Sequence, residues 1–70
     1  MRTEEQAVIA AVKTAKKRED VVPAYVALIR ANINPCCDAN NAILDRWSLY
    51  ALNYIKTKAW NVVDPDGRLR

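Results

Sequence analysis

Residues 46–63, RWSLYALNYIKTKAWNVV, constrain the fold more than any other stretch of this 70-residue chain. Both tryptophans and two of the three tyrosines fall there, with three cations and no acid. Wound as a helix at about 100° per residue, the stretch separates into faces. Ala51, Leu52, Ile55, Ala59, Val62 and Val63 gather on one side, the expected core face. Tyr50, Asn53, Tyr54, Thr57 and Asn61 fall on the other. Leu49, Lys56 and Trp60 form one flank, and Lys58 the other. A face of tyrosine, asparagine and threonine edged by lysine suits contact with a partner.

The preceding chain reads as shorter helices. Thr3 is the expected N-cap of the first, with Gln6 completing a capping box. Glu4 and Glu5 lie in the first turn, where the helix dipole favours acids. Val8, Ala11, Val12 and Ala15 recur at helical spacing, and Gln6, Ala10, Lys13 and Lys17 line the opposite side. Lys16, Lys17 and Arg18 would close the last turn with positive charge, so this helix is expected over 3–18. Glu19-Asp20 makes the break. Asp20 is the expected cap of a second helix over 21–33, with Pro23 in its first turn, where no amide donor is needed. Val22, Tyr25, Val26, Ile29 and Ile33 share its core face, and Ala24, Ala27 and Ala31 lie opposite. Residues 32–35 end it, because a residue before proline is pushed out of the α region.

Residues 35–38 form the next connection, with Asp38 or Asn40 capping a third helix. Ile43, Leu44 and Trp47 are its apolar residues, and Asp45 and Arg46 point elsewhere. Two readings then stay open. Residues 39–63 form one helix, or the chain breaks near Trp47-Ser48 and Ser48 caps a fourth helix. The sequence DPDG at 64–67 is a turn signal, and 64–70 reads as a frayed tail. No strand pattern or internal repeat is visible. The expected fold is therefore all-α, one domain over residues 1–63: a compact bundle of three or four short helices. In the broken reading its C-terminal pair is helix-turn-helix-like.

Seventy residues bury only about 60% of their unfolded surface, and many of the apolar residues here are alanine. Little mass is left to build a catalytic pocket. Histidine is absent, which removes the commonest general base and zinc ligand. Cys36 and Cys37 are adjacent, and no second pair completes a four-cysteine metal site. Adjacent cysteines pair only through a strained ring, so reduced thiols are expected. One glycine rules out a phosphate-cradling glycine-rich loop. The expectation is a protein that is not an enzyme, with no cofactor, no metal and no small-molecule substrate. No apolar run is long enough for a membrane span. The start, MRTEEQ, is polar where a signal peptide needs its apolar region. A cytoplasmic setting follows.

The net charge is +3, unevenly spread. Residues 1–20 carry +1, residues 21–45 carry −1, residues 46–63 carry +3 and the tail is neutral. The excess on the last helix suits an anionic partner; the plainer alternative is an ordinary solvated helix face. In the broken reading, residues 39–63 follow the helix-turn-helix order, whose second helix enters the major groove. Asn53 and Asn61 can pair with adenine, and Thr57 can meet a thymine methyl. Arg46, Lys56 and Lys58 would hold phosphates. Asp45 departs from that pattern, since its charge would repel a DNA backbone. The leading expectation is a small regulator of a nucleic-acid transaction, transcription first among them, binding DNA through residues 46–61. The size class is one in which phage and mobile-element regulators are common. The second reading uses Tyr50, Tyr54 and Trp60 as anchors on a nucleic-acid-processing protein such as RNA polymerase. A homodimer is a third.

Overall fold

The computed structural model describes residues 3–31 and 37–68. Among these residues run four helices: α1 (Thr3–Thr14), α2 (Val22–Arg30), α3 (Cys37–Arg46) and α4 (Leu49–Val63), with a 3-10 turn, Arg18–Val21, leading into α2. The described residues contain no strand. This is the expected all-α bundle in its four-helix form. Its radius of gyration is 11.1 Å, matching the ~11 Å of a packed chain of this length. No helix among the described residues is long and apolar enough to cross a membrane. The expected core position Ile33, the side chains of Cys36 and Cys37, and the end at Leu69-Arg70 lie outside the described residues.

The first departure from expectation is where α1 stops. It ends at Thr14 rather than Arg18, and Asp20 is the cause. One carboxylate oxygen of Asp20 accepts the amides of Lys16 and Lys17 at 3.2 and 3.4 Å. Those amides would otherwise donate to the carbonyls four residues earlier. Aspartate competes with the helix in this way because its short side chain reaches nearby backbone donors. Lys17 turns to extended backbone and the 3-10 turn begins. Asp20 thus holds this turn and does not cap α2, whose cap position is Val21. Pro23 does fall in the first turn of α2. Thr3 is itself helical, so it is not the expected cap of α1.

The carbonyls released by that early stop need donors. Ala15 bonds Ala11 at 2.8 Å, and the Thr14 hydroxyl donates to Ala10 at 3.1 Å. The Val12 carbonyl, which the Lys16 amide would have served, accepts from the Arg46 guanidinium of α3. A cation at a helix C-terminus also meets the favourable end of the dipole. One aspartate and one arginine therefore close α1 and tie it to α3.

The core contains Val8, Val12 and Ala15 of α1 and its exit, Val21, Tyr25, Val26 and Leu28, then Ala39 and Ile43 of α3, and Ala51, Leu52, Ile55 and Ala59 of α4. On α2 the buried arc is rotated from the expected face. Leu28 and Val21 are fully enclosed, while Val22 and Ile29 are only half-buried. The reason is topological: α2 packs against α1 on one side and α4 on the other, so a wide arc leaves water. α2 closes at Arg30, with Ala31 as C-cap, just ahead of the residues expected to end it. In α3, Asp38 and Asn40 are inside the helix rather than at its cap. Asn40 instead accepts the Tyr25 hydroxyl at 3.2 Å.

Between α3 and α4 the chain breaks at Trp47-Ser48. Ser48 is extended and sits at the N-cap position, although its hydroxyl makes no cap hydrogen bond. Leu52 donates to the Ser48 carbonyl at 3.1 Å, starting α4. At the other end Asp64 is 4% exposed and accepts the Arg68 amide at 2.8 Å. Gly67 takes a φ of 73°, the left-handed conformation that glycine adopts without strain. The DPDG turn forms as expected.

Candidate functional site

α4 lies against α2, α3 and the 3-10 turn, and makes no close backbone approach to α1 among the described residues. Its inner row, Ala51, Leu52, Ile55 and Ala59, is buried. Asn53, Thr57 and Asn61 are exposed, and Tyr50 is 85% exposed. Val63 is half-buried as a core-edge residue. Val62, expected in the core, is 53% exposed: it lies one turn beyond Lys58, on the same flank. Leu49, at the start of the helix, is 62% exposed. Leu49, Tyr50 and Val62 are the exposed large apolar residues among those described, and all three are on α4.

The candidate binding residues divide into two groups. Tyr50, Asn53, Thr57 and Asn61 share the outward face, with Lys58 exposed at its edge. Lys56 and Trp60 are half-buried on the far flank. Arg46 and Tyr54 are engaged within the fold. Besides its bond to Val12, the Arg46 guanidinium lies 4.6 Å from the Trp47 ring centroid. That ring is half-buried and packs on the core. Tyr54 is half-buried as well, and its hydroxyl donates to Glu19 in the 3-10 turn at 3.1 Å.

Around Tyr54 the fold gathers charge that is scattered along the sequence. The Arg18 guanidinium sits 4.4 Å from the ring centroid, and Lys58 Nζ sits 5.5 Å from it. Lys17 Nζ lies 4.0 Å from the Glu19 carboxylate. Cations over an aromatic face are attracted to its electron density, so one tyrosine holds two of them together. Partial burial and then Glu19, by hydrogen bond and by charge, raise the Tyr54 phenol above its ordinary pKa, while Arg18 pulls the other way. Lys16, the next residue along, is also exposed. The candidate element that sequence reasoning misses is this corner. The chain expected to finish α1 instead brings Arg18 over the Tyr54 ring of α4 and Lys17 to Glu19, the partner of that tyrosine. The signal was Asp20, placed four residues after Lys16.

An open recess of about 290 Å³ adjoins the corner, lined by Glu19, Val22, Tyr54, Lys58 and Val62. Among the described residues no cluster of three or more histidine, cysteine, aspartate or glutamate side chains could hold a metal ion. The arrangement can present hydrogen-bonding groups beside fixed cations. No family model, curated protein or solved structure matches the chain.

Proposed function

We propose that this protein is a non-enzymatic, cytoplasmic regulator of a nucleic-acid transaction, transcription foremost, and that it binds DNA through α4. The observation that carries this reading is the placement of Arg18 and Lys58 over the Tyr54 ring, with Lys17 on the Glu19 carboxylate that the Tyr54 hydroxyl bonds, on the helix that bears the exposed row Tyr50, Asn53, Thr57 and Asn61. Fixed cations supply the sequence-independent attraction to phosphates. The amide and hydroxyl groups of the row supply donors and acceptors for base edges. The order of helix, two-residue break and helix over residues 37–63 also supports the reading, since in the helix-turn-helix order the second helix is the one that enters the groove.

A labelled duplex titrated at two salt concentrations tests the proposal. Lys58→Ala should weaken binding to all sequences alike and lower the salt slope by roughly 0.9, one phosphate contact. Asn53→Ala should instead blur preference at one base pair, at a cost of ~1–3 kcal/mol. Absence of binding at low salt, where even non-specific attraction should register, ends the DNA reading.

The exposed Leu49, Tyr50 and Val62 favour a second reading, docking on a larger nucleic-acid enzyme. Tyr50→Ala would then dominate, losing ~2 kcal/mol or more, with a shallow response to salt.

A further inference from the structure

Glu19 is an anomaly in the basic corner. Asp20, beside it, is occupied by backbone amides. Glu19 has no such local duty. It stands with one carboxylate oxygen accepting the Tyr54 hydroxyl at 3.1 Å and the other 4.0 Å from Lys17 Nζ. Arg18 and Lys58 lie over the ring of that same tyrosine. One carboxylate thus gathers a hydroxyl donor and a lysine, and two further cations lie over the ring of the same tyrosine; donors and positive charge of this kind suit a phosphate oxygen. The Glu19 side chain is itself 56% exposed, so it can turn outward without disturbing the core. The open recess that Glu19 lines with Val22, Tyr54, Lys58 and Val62 leaves space for an incoming group.

We infer that this corner is a seat for a backbone phosphate of nucleic acid, and that in the free protein Glu19 occupies it as a resident anion. The inference rests on the reading of α4 as a nucleic-acid-binding helix and adds a second point of contact to it. Glu19 gives up the Tyr54 hydroxyl and Lys17 to the phosphate, and in the free state it blunts attraction to unrelated anions. The corner then sets how firmly any duplex is held, and the outward row of α4 sets which duplex is preferred.

Glu19→Gln is the informative variant. It keeps an acceptor for Tyr54 and removes the charge. Duplex binding should tighten roughly two- to fivefold at low salt, the usual effect of one exposed charge, and equally for every sequence. Asp66→Asn changes net charge by the same amount but lies in the turn after α4, so it should do less. Lys17→Ala should lower the salt slope by roughly 0.9. Melting curves confirm that each variant is folded. In a parallel arm, inorganic tripolyphosphate is titrated while backbone amide resonances are followed. Shifts should centre on Lys17, Arg18, Glu19 and Lys58, and strengthen in Glu19→Gln.

Duplex binding that ignores both Glu19→Gln and Lys17→Ala overturns the seat and leaves the α4 reading standing. Equal tightening by Asp66→Asn also overturns it, since net charge alone would then explain the gain. Failure to bind duplex, with tripolyphosphate shifts confined to this corner, keeps the seat and removes nucleic acid as its occupant. No response to either probe ends both.

Discussion

Tyr25 and Tyr54 perform the same structural task on opposite sides of the molecule's boundary with water. Each sends its hydroxyl from one helix to a side chain on another element. Tyr25 joins α2 to Asn40 of α3, two helices that make no close backbone approach of their own among the described residues. Tyr54 joins α4 to Glu19 of the 3-10 turn. The partners differ because the surroundings differ. Tyr25 is among the largest fully buried side chains, and its partner is a neutral amide. A charge there would lose hydration without compensation. Tyr54 has water within reach, and its surroundings hold a carboxylate, a guanidinium and an ammonium. The enclosed tyrosine specifies how helices meet. The open one collects charge at the surface.

The largest test of that division is Ile55→Asp set against Tyr50→Asp. Both lie on α4, but Ile55 is fully buried and Tyr50 points to solvent. The first places an unpaired charge in the core, a several-kcal/mol penalty in a domain with ~3–5 kcal/mol to lose. It should be unfolded by circular dichroism. The second should melt near the parent. Equal melting temperatures would mean that the inner and outer faces of α4 have been exchanged.

Tyr25→Phe sharpens the comparison at the hydroxyl itself. At neutral pH it should cost about 1–2 kcal/mol, because the half-buried Asn40 oxygen loses its donor. Alkaline pH adds a distinctive signature. Burial pushes the Tyr25 phenol up to about 12 from an ordinary 10.0. The folded chain therefore keeps a proton that the unfolded chain releases. That contribution is fully present below about pH 10 and is lost as pH rises towards 12. Phenylalanine has no proton to lose. Denaturant melts at neutral pH and near pH 11 should show the gap between variant and parent narrowing. A constant gap would place the Tyr25 hydroxyl in water rather than in the core.

How much of this was legible beforehand depends on the range of the forces involved. The helices were, because Val8, Ala11, Val12 and Ala15, and again Ala51, Leu52, Ile55 and Ala59, recur at helical spacing. The break before α4 was readable as one of two choices, since Ser48 is a good cap but also tolerable mid-helix. The early end of α1 was not. It depends on Asp20 reaching back to two amides while Arg46, distant in sequence, arrives to satisfy Val12. The α2 face departs from expectation for a related reason: α2 is covered by both α1 and α4, so Leu28 is enclosed, and periodicity within α2 carries no information about its neighbours. The outward row of α4 could be read from its own spacing. The basic corner could not, because charge counted segment by segment hides cations that folding brings together.

Arg46 gives the smallest effect and separates structure from binding most cleanly. Sequence reasoning groups it with Lys56 and Lys58 as a phosphate holder. Its observed partners are the Val12 carbonyl and the Trp47 ring, both within the fold. A charged donor to a carbonyl can be worth ~1.5–3 kcal/mol, but this residue is largely open to solvent, which reduces the gain. Arg46→Ala should therefore lower stability by about 1 kcal/mol, or about 4–8 °C in melting temperature for a domain of this size. Arg46→Lys should recover only part of that loss. A single ammonium cannot match the planar guanidinium, which bonds the carbonyl and stacks on the indole at once. The salt slope of duplex binding should stay at the parent value in both variants, whereas Lys58→Ala lowers it without a comparable loss of stability. If Arg46→Ala instead melts like the parent and flattens the slope, its guanidinium serves the partner. The division between a tied interior and a charge-collecting corner would then have to be redrawn to include the end of α3.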